Sequence, residues 1–385
     1  MNRRYLYRFE PFGTLCFDNK KNKVYVDYGV KEFPYDDIRI IDNRYFNAPL
    51  LGAPLNVFLE ITQNCNSECI HCINRREKKT KDISLDNLKV IIDKLYNSGI
   101  FLIKISGGEP FCRNDIFEIL DYIETKNIKY IIYTNGTYID EDVAFNLQGL
   151  SNLLCLRVSI DGLQETNDAI RGKGMFDIAI RALKLLSNNK IPCEANYTIC
   201  YKNYKEISDL IMFMKKQGID AKMNVGTLKI SGGVLKNKEL VIPEDKVLDI
   251  MDIVRLQIIN NESVVPFKLL PEVYFKLYGN SFGCPAGRLA MSINNRGEVF
   301  GCGMLADTEE FNCGNLIYEE LNEIWGGRQM NRLRTLVTRE ECLSCSFFQE
   351  ECTGACRGNA LNCFCDIQER DINCGIYKIN YETNN

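Results

Sequence analysis

Eighteen cysteines and a single histidine constrain this chain more than any other feature of its 385 residues. Three of them, Cys65, Cys69 and Cys72, stand in LEITQNCNSECIHCIN as C-x3-C-x2-C. Ten more lie between Cys284 and Cys374. The other five, Cys16, Cys112, Cys155, Cys193 and Cys200, are scattered and are expected to be small buried hydrophobes. Disulfide-rich secreted domains are short, so a long chain with clustered cysteines points to metal binding or thiol chemistry in a reducing compartment. The N-terminal MNRRYLYRFEPFG has no apolar run behind its basic residues, and no stretch is long and apolar enough to span a membrane. A cytoplasmic location is the expectation. One histidine makes His-based zinc sites and Ser-His-Asp hydrolysis poor readings. A net charge of −4 offers no broad basic surface for nucleic acid.

The chain divides into four regions by pattern. Residues 1–52 read as a β-rich leader, with strands over Tyr7–Asp18 and Lys23–Tyr28 joined by a turn at Asn19–Asn22. Residues 53–230 alternate strand and helix. Strands are expected at Asn56–Ile61, Phe101–Ile105, Tyr130–Tyr133, Leu154–Ile160, Glu194–Cys200 and Ala221–Val225. Helices are expected at Ser84–Asn97, Asp115–Thr125, Glu141–Leu147, Phe176–Ser187 and Lys205–Gln217. In the first of these, Leu85, Leu88, Ile91, Ile92 and Leu95 keep helical spacing, Ser84 suits the N-cap and Gly99 the stop. Such alternation implies an α/β fold with right-handed parallel crossovers, either an open doubly wound sheet or a partial (β/α) barrel. Either places chemistry at the C-terminal strand ends. Residues 231–280 read as a bridge with a helix over Pro243–Asn260, and 281–385 as an irregular cysteine-rich domain with one longer helix at Leu321–Arg334. A region so poor in periodicity would draw folding energy from metal ligation.

Taken alone, Cys65, Cys69 and Cys72 suit three irons of a 4Fe–4S cluster, with the fourth iron open. Zinc with His71 as fourth ligand is the alternative. The following segments resemble the radical S-adenosylmethionine (SAM) superfamily: ISGGEP at Ile105–Pro110, Thr134-Asn135-Gly136, Ser159-Ile160-Asp161-Gly162 and Asn167–Gly172, in strand-end order. The resemblance implies a partial (β/α)6 barrel and a SAM-binding cluster on Cys65, Cys69 and Cys72. It implies that Gly107, Gly108 and Glu109 meet the SAM amino group. It places Asn135, Ser159, Asp161 and Arg171 around the ribose and carboxylate, and His71 against the adenine.

The C-terminal pattern Cys284, Cys302, Cys342-x2-Cys345-x6-Cys352-x3-Cys356 and Cys374 resembles the SPASM domain of peptide-modifying members, supported by CPAGR, NNRGEVFGC and GNLIYEELNEIW. One loop is a residue longer than usual. The resemblance implies two auxiliary 4Fe–4S clusters, three in all. Cys342, Cys345, Cys352 and Cys374 would hold the outer one. Cys284, Cys302 and Cys356 would hold the inner one, with Cys313, an open iron or a non-cysteine group in the fourth place. A zinc ribbon is the bland alternative for the quartet.

The implied activity is reductive SAM cleavage to a 5′-deoxyadenosyl radical that takes hydrogen from a ribosomally made peptide, forming a thioether or carbon–carbon crosslink. A sulfatase-maturating enzyme and a noncatalytic zinc-binding interaction protein are the alternatives. Implied partners are a substrate peptide and a flavodoxin or ferredoxin donor, with neither nucleic acid nor membrane. The leader hairpin either packs on the barrel or takes up a leader peptide as an added strand.

Overall fold

The fold is given by a computed structural model. It describes residues 4–10, 13–27, 38–42, 51–74, 80–243, 246–247, 250, 268–269, 284–306, 308–334, 356–369 and 371. Six parallel strands form its centre: β5 (Asn56–Thr62), β6 (Leu102–Gly107), β7 (Lys129–Thr134), β8 (Leu153–Ser159), β9 (Cys193–Ile199) and β10 (Lys222–Thr227). Each pairs with its sequence neighbour. Between them run α1 (Leu85–Asn97), α2 (Ile116–Lys126), α3 (Glu141–Gln148), α4 (Gln164–Arg171), α5 (Met175–Asn188) and α6 (Ile207–Lys216).

The reasons are local. Ser84 Oγ accepts from Asn87 N at 3.2 Å to start α1, and Leu88, Ile91, Ile92 and Leu95 bury one stripe of it. Gly99, at φ +70°, then turns the chain into β6. Helices α1, α2, α3, α5 and α6 pack on one sheet face, against alternate residues such as Val57, Leu59, Ile61, Ile103 and Ile105. A doubly wound sheet would need helices on both faces and apolar residues on both. Here the second face carries Lys104, Tyr133, Arg157 and Glu194 at its middle. The sheet is a partial barrel of the radical SAM type, and that polar face lines its inside.

The leader is larger than a hairpin. What reads in sequence as one strand over Tyr7–Asp18 is two, β1 (Tyr5–Glu10) and β2 (Gly13–Asp18), because Gly13 takes a φ of +149° that turns the chain. With β3 (Lys23–Asp27), β4 (Ile38–Asp42) and β11 (Lys268–Leu269) they form a sheet in the order β11-β3-β2-β1-β4. Leu6, Leu15 and Phe17 of this sheet pack against Phe101, Leu102, Ile131 and Cys155 of the barrel, closing its lower end. Phe17 stacks on Phe101 at 5.1 Å. Arg8, fully buried, fastens the joint. It pairs with Glu10 and donates to Pro54 O (2.8 Å), Ala53 O (2.7 Å) and Gly99 O (3.2 Å), while Glu10 accepts from Gly52 N at 2.6 Å.

The cysteine-rich end is joined to the barrel by backbone. Strand β12 (Ala290–Ile293) pairs in parallel with β5, and β13 (Val299–Phe300) pairs antiparallel with β12, giving an eight-stranded sheet. The helix expected over Leu321–Arg334 is two, Leu321–Gly326 and Arg328–Arg334. Gly327 breaks it in extended conformation, close under the carbonyls of Glu323 and Ile324. Trp325 is buried and donates to Leu51 O at 2.7 Å. Most of the expected Pro243–Asn260 helix, and Cys342, Cys345, Cys352 and Cys374, lie outside the described residues. Among the described residues no helix is long and apolar enough to cross a membrane.

Arg8→Ala would strand the buried Glu10 carboxylate. Chemical denaturation of the anaerobically purified protein should show a loss of about 3–5 kcal/mol, the scale for breaking a buried pair. Lys20→Ala, in an exposed turn, should stay within about 0.5 kcal/mol of the parent.

Candidate active site

The Cys65–Cys72 loop leaves the C-terminal end of β5 and is gripped from two sides by backbone contact. Gly107 and Gly108 end β6. A Cβ on Gly107 would stand 2.2 Å from Thr62 O, and one on Gly108 2.1 Å from Asn64 O. Gly108 N and Glu109 N donate to Thr62 O and Asn64 O, both at 2.8 Å. The second grip is a repeat of the same four residues, Ile230-Ser231-Gly232-Gly233, just past β10. A Cβ on Gly232 would meet Cys72 O at 2.5 Å, and one on Gly233 would meet Ile70 O at 2.4 Å. Gly233 N donates to Cys72 O at 2.9 Å. The glycines of ISGGEP are thus required by the cysteine loop itself. The second Ile-Ser-Gly-Gly was visible as a repeat and was not used in the sequence reading.

Asp82, also missed, secures the loop's base. Its carboxylate accepts from Thr62 Oγ1 (2.6 Å), Gln63 N (3.0 Å), Asn64 Nδ2 (3.0 Å) and Asn295 Nδ2 (3.0 Å). Asn295, fully buried, carries this bracing across to the cysteine-rich end.

Glu109 is buried at the mouth of the barrel. Its carboxylate accepts from Thr134 Oγ1 (2.8 Å), Asn135 N (2.6 Å) and Phe111 N (3.3 Å). Among the described residues it has no cationic partner, and burial pushes its pKa up to about 7 against those three donors. A desolvated carboxyl with no counter-charge is suited to an incoming ammonium. Asn135 Nδ2 turns toward the loop, donating to Asn66 Oδ1 (2.9 Å) and Ser67 Oγ (3.2 Å) and approaching Cys65 Sγ at 3.9 Å. Ser159 ends β8, half-buried.

Asp161, His71 and Arg171 form one buried group. Asp161 Oδ2 lies 3.0 Å from His71 Nε2 and 2.6 Å from Arg171 Nε, contacts of ion-pair distance without hydrogen-bond alignment. Its Oδ1 accepts from Thr198 N at 2.7 Å. Burial opposes ionisation, but Arg171 and His71 hold the carboxylate down at about 2. Arg171, expected beside a SAM carboxylate, already has its carboxylate in Asp161, and its Nη1 lies 4.0 Å from Cys69 Sγ. Asn167 and Asp168 serve the fold: Asn167 Oδ1 accepts from Asp161 N (2.8 Å), and Asp168 accepts from Gly174 N (2.7 Å) and Phe176 N (2.9 Å) at the start of α5. The segment Asn167–Gly172 is mostly helix, part of α4, which the sequence reading left unassigned.

Burial raises all three loop thiols, Cys65 to about 11, and they lie near enough to raise one another. Yet among the described residues no three His, Cys, Asp or Glu side chains are set to hold a single metal ion. Three reluctant thiols on one loop suit a polynuclear cluster, whose binding would ionise them.

Below this mouth the inner barrel wall carries a second polar layer, missed in the sequence. Lys104 Nζ sits 4.5 Å from the Phe58 ring centre, and Phe58 is 6.3 Å from Tyr133. Arg157 Nη1 donates to Tyr133 Oη at 2.6 Å and its Nε to Glu194 Oε2 at 2.8 Å. The signal was a charged residue at alternate positions of otherwise apolar strands.

Two family models match in turn: the radical SAM superfamily over residues 59–214, and the iron–sulfur cluster-binding SPASM domain over residues 284–346. The chain belongs to the radical SAM superfamily. It is similar to the mycofactocin maturase MftC of Mycolicibacterium smegmatis, 29% identical over 320 residues that span 80% of this chain and 79% of that one. It is also similar to the AdoMet-dependent heme synthase of Methanosarcina barkeri, 27% identical over 86% of this chain and 98% of that one. In fold it matches Streptococcus suis SuiB bound to S-adenosylmethionine, with a TM-score of 0.75, 18% identity, and 96% and 98% of the two chains covered.

A radical SAM enzyme with a SPASM domain binds 4Fe–4S clusters and SAM, and the described SPASM residues fit the first of these. Cys284, Cys302 and Cys356 line one cavity with Arg288 and Arg357. Burial lifts Cys302 to about 12, with Cys284 and Cys356 adding to the rise. Cys313 is not brought to this group. Its Sγ lies 3.4 Å from Phe311 O, and the charge it faces is Arg334, because its backbone N is committed to Val299 O at 2.8 Å beside β13. Cys313, one of the candidates for the fourth place, is not among the residues lining that cavity.

Gly108→Ala and Gly233→Ala should each displace the loop backbone and cost about four irons per chain, one cluster's worth. Gly226→Ala, whose added Cβ meets nothing within 4 Å, should keep the full iron content by colorimetric assay.

Proposed function

We propose that this enzyme is a peptide maturase that holds three 4Fe–4S clusters and uses SAM to crosslink a ribosomally made peptide through a thioether or carbon–carbon bond. The observation that carries it is the union, in one sheet, of the three-cysteine loop at the end of β5 and the Cys284–Cys302–Cys356 cavity beyond β12. The similarity to a mycofactocin maturase over most of both chains supports a peptide substrate. Cys65, Cys69 and Cys72 would hold the SAM-binding cluster and leave one iron open. Cys284, Cys302 and Cys356 would hold the inner auxiliary cluster. Cys342, Cys345, Cys352 and Cys374 would hold the outer one.

When bound, the cluster and SAM supply one-electron cleavage of a carbon–sulfur bond and the hydrogen abstraction that follows. The chain's own part is placement. Glu109 receives the SAM amino group. Asn135 and Ser159 face the ribose side, and His71, held by Asp161, offers its ring to the adenine. Arg171 neutralises Asp161 and keeps a positive charge beside Cys69, favouring its thiolate. The leader sheet closes the barrel below, which excludes water from a reactive interior. A flavodoxin or ferredoxin is the proposed electron donor.

A second reading, action on a tetrapyrrole, rests on the full-length similarity to a heme synthase. Incubation of the reconstituted, reduced enzyme with SAM and either peptides encoded beside its gene or an iron porphyrin separates the two by mass spectrometry. A loss of two hydrogens with ring-blocked fragmentation supports the maturase. An aldehyde product would indicate sulfatase-type maturation, and modification of a porphyrin alone would overturn the peptide assignment.

Glu109 supplies a pH test. Its carboxyl is near 7 without a counter-charge, so raising the pH from 6 to 7.5 ionises it, while an α-amino group stays largely protonated below about 7.7. SAM binding by equilibrium dialysis should tighten over that range in the parent and stay flat in Glu109→Gln. A flat profile in the parent would remove Glu109 from this role.

A further inference from the structure

Lys104 is the unexplained charge in this barrel. It projects from the middle of β6 on the inner face, between Phe58 of β5 and Ile131 of β7 in the strand register. Its stem and ammonium lie along the Phe58 ring, with Nζ 4.5 Å from the ring centre. Among the described residues it makes no ion pair. The carboxylate of this layer, Glu194, is engaged by Arg157, whose other arm is engaged by Tyr133. Among the described residues this layer therefore holds two cations and one anion, and the next carboxylate on the inner face is the buried Glu60, opposite Ser106 and one step nearer the mouth.

Among the described residues no anion pairs with Lys104. Arg157 and Glu194 bridge β8 and β9 and are mutually neutralised. A lysine serving only to pack on Phe58 would be replaced by an apolar side chain without burying a charge, and burial with Arg157 nearby pushes the ammonium down to about 8. The apolar joint of Leu102, Ile131 and Cys155 with the leader sheet closes the floor below Lys104. Among the described residues the inner wall continues from Lys104 toward the mouth. Ser106 stands on the same strand two residues nearer the mouth, about 7 Å at strand rise, and Gly107 and Gly108 with the cysteine loop come next. A group bound against Lys104 would thus lie under the reacting end of the site.

We propose that Lys104 is a substrate-positioning residue that receives a carboxylate of the peptide inside the barrel, with Arg157 and Tyr133 as the adjoining wall. The inference rests on the barrel interior being the peptide site of the proposed maturase. An aspartate or glutamate side chain and a C-terminal carboxylate share the recognised chemistry. Phe58 and Tyr133 would flank an apolar or aromatic neighbour of that carboxylate.

Calorimetric titration of the reconstituted, SAM-bound enzyme tests this with three small probes. N-acetylglutamic acid α-amide carries only a side-chain carboxylate, N-acetylalanine only a terminal one, and N-acetylglutamine α-amide is neutral. At least one acid should bind ten times more tightly than the neutral probe. That preference should vanish in Lys104→Met, which keeps the stem over Phe58, and return in part in Lys104→Arg. Which acid binds identifies the source of the carboxylate. A second measurement needs no variant: acetylation of Lys104 in the parent, mapped by mass spectrometry, should slow at least threefold with the bound acid and not with the neutral probe. Equal binding of all three probes, or unchanged acetylation, overturns the assignment. If the parent still carries its clusters and cleaves SAM, such a result leaves the maturase reading standing. If it does neither, the maturase reading fails first.

Discussion

Close backbone contact between two Ile-Ser-Gly-Gly turns and one cysteine loop is the constraint on which this site depends. The loop between Cys65 and Cys72 has no regular structure of its own to hold three thiols in place. Gly107 and Gly108 hold its start through the carbonyls of Thr62 and Asn64, and Gly232 and Gly233 hold its end through those of Ile70 and Cys72. Any side chain at these four positions would separate the surfaces. The two grips come from β6, beside β5, and from beyond β10, at the far edge of the sheet. The loop's shape therefore depends on the whole barrel being closed to the right curvature. Asp82 and Asn295 extend the dependence to the cysteine-rich end, so the SAM-cluster loop and the auxiliary region share one framework.

Charge in this protein is buried in three distinct ways, and each matches a different task. Asp161 is held down at about 2 by Arg171 and His71, which fixes the histidine ring and leaves a cation beside Cys69. Glu109 is solvated by three donors and by no cation, a state that an ammonium would complete. Lys104 is its mirror image on the barrel's inner wall. Unpaired buried charge is costly, so these two groups, without an ion pair among the described residues, are the proposed places for ligands of opposite sign. Arg8 with Glu10 is the structural counterpart, a satisfied pair that joins the leader sheet to the barrel.

The strand–helix order was legible because Leu88, Ile91, Ile92 and Leu95 keep helical spacing and because glycines such as Gly99 end the elements. The three-cysteine spacing and ISGGEP made the site's location legible as well. What the sequence hid depends on contacts between distant segments. Arg8 reads as one more basic residue in a polar N-terminus, and only the packed sheet shows its four buried partners. Gly13 falls inside the strand expected over Tyr7–Asp18, and its positive φ makes it a turn. Asn167 and Asp168 lie in a segment that resembles the family, and the fold uses them on Asp161 and α5. Cys313 sits at an attractive distance in sequence, but beside β13 its sulfur meets Phe311 O and does not line the cavity of Cys284, Cys302 and Cys356. Lys104, Tyr133 and Arg157 occupied alternate positions in apolar strands, a pattern that becomes meaningful once helices cover only one face of the sheet.

The central claim is that Cys65, Cys69 and Cys72 hold a cluster whose fourth iron is left for SAM. Electron–nuclear double resonance on the reduced enzyme with SAM labelled by 17O at its carboxylate tests it most directly. An oxygen coupling to the cluster signal in the parent, lost when the three cysteines are changed to alanine, is the predicted result. No coupling in a parent with full iron content, or a coupling that survives the triple substitution, would contradict it.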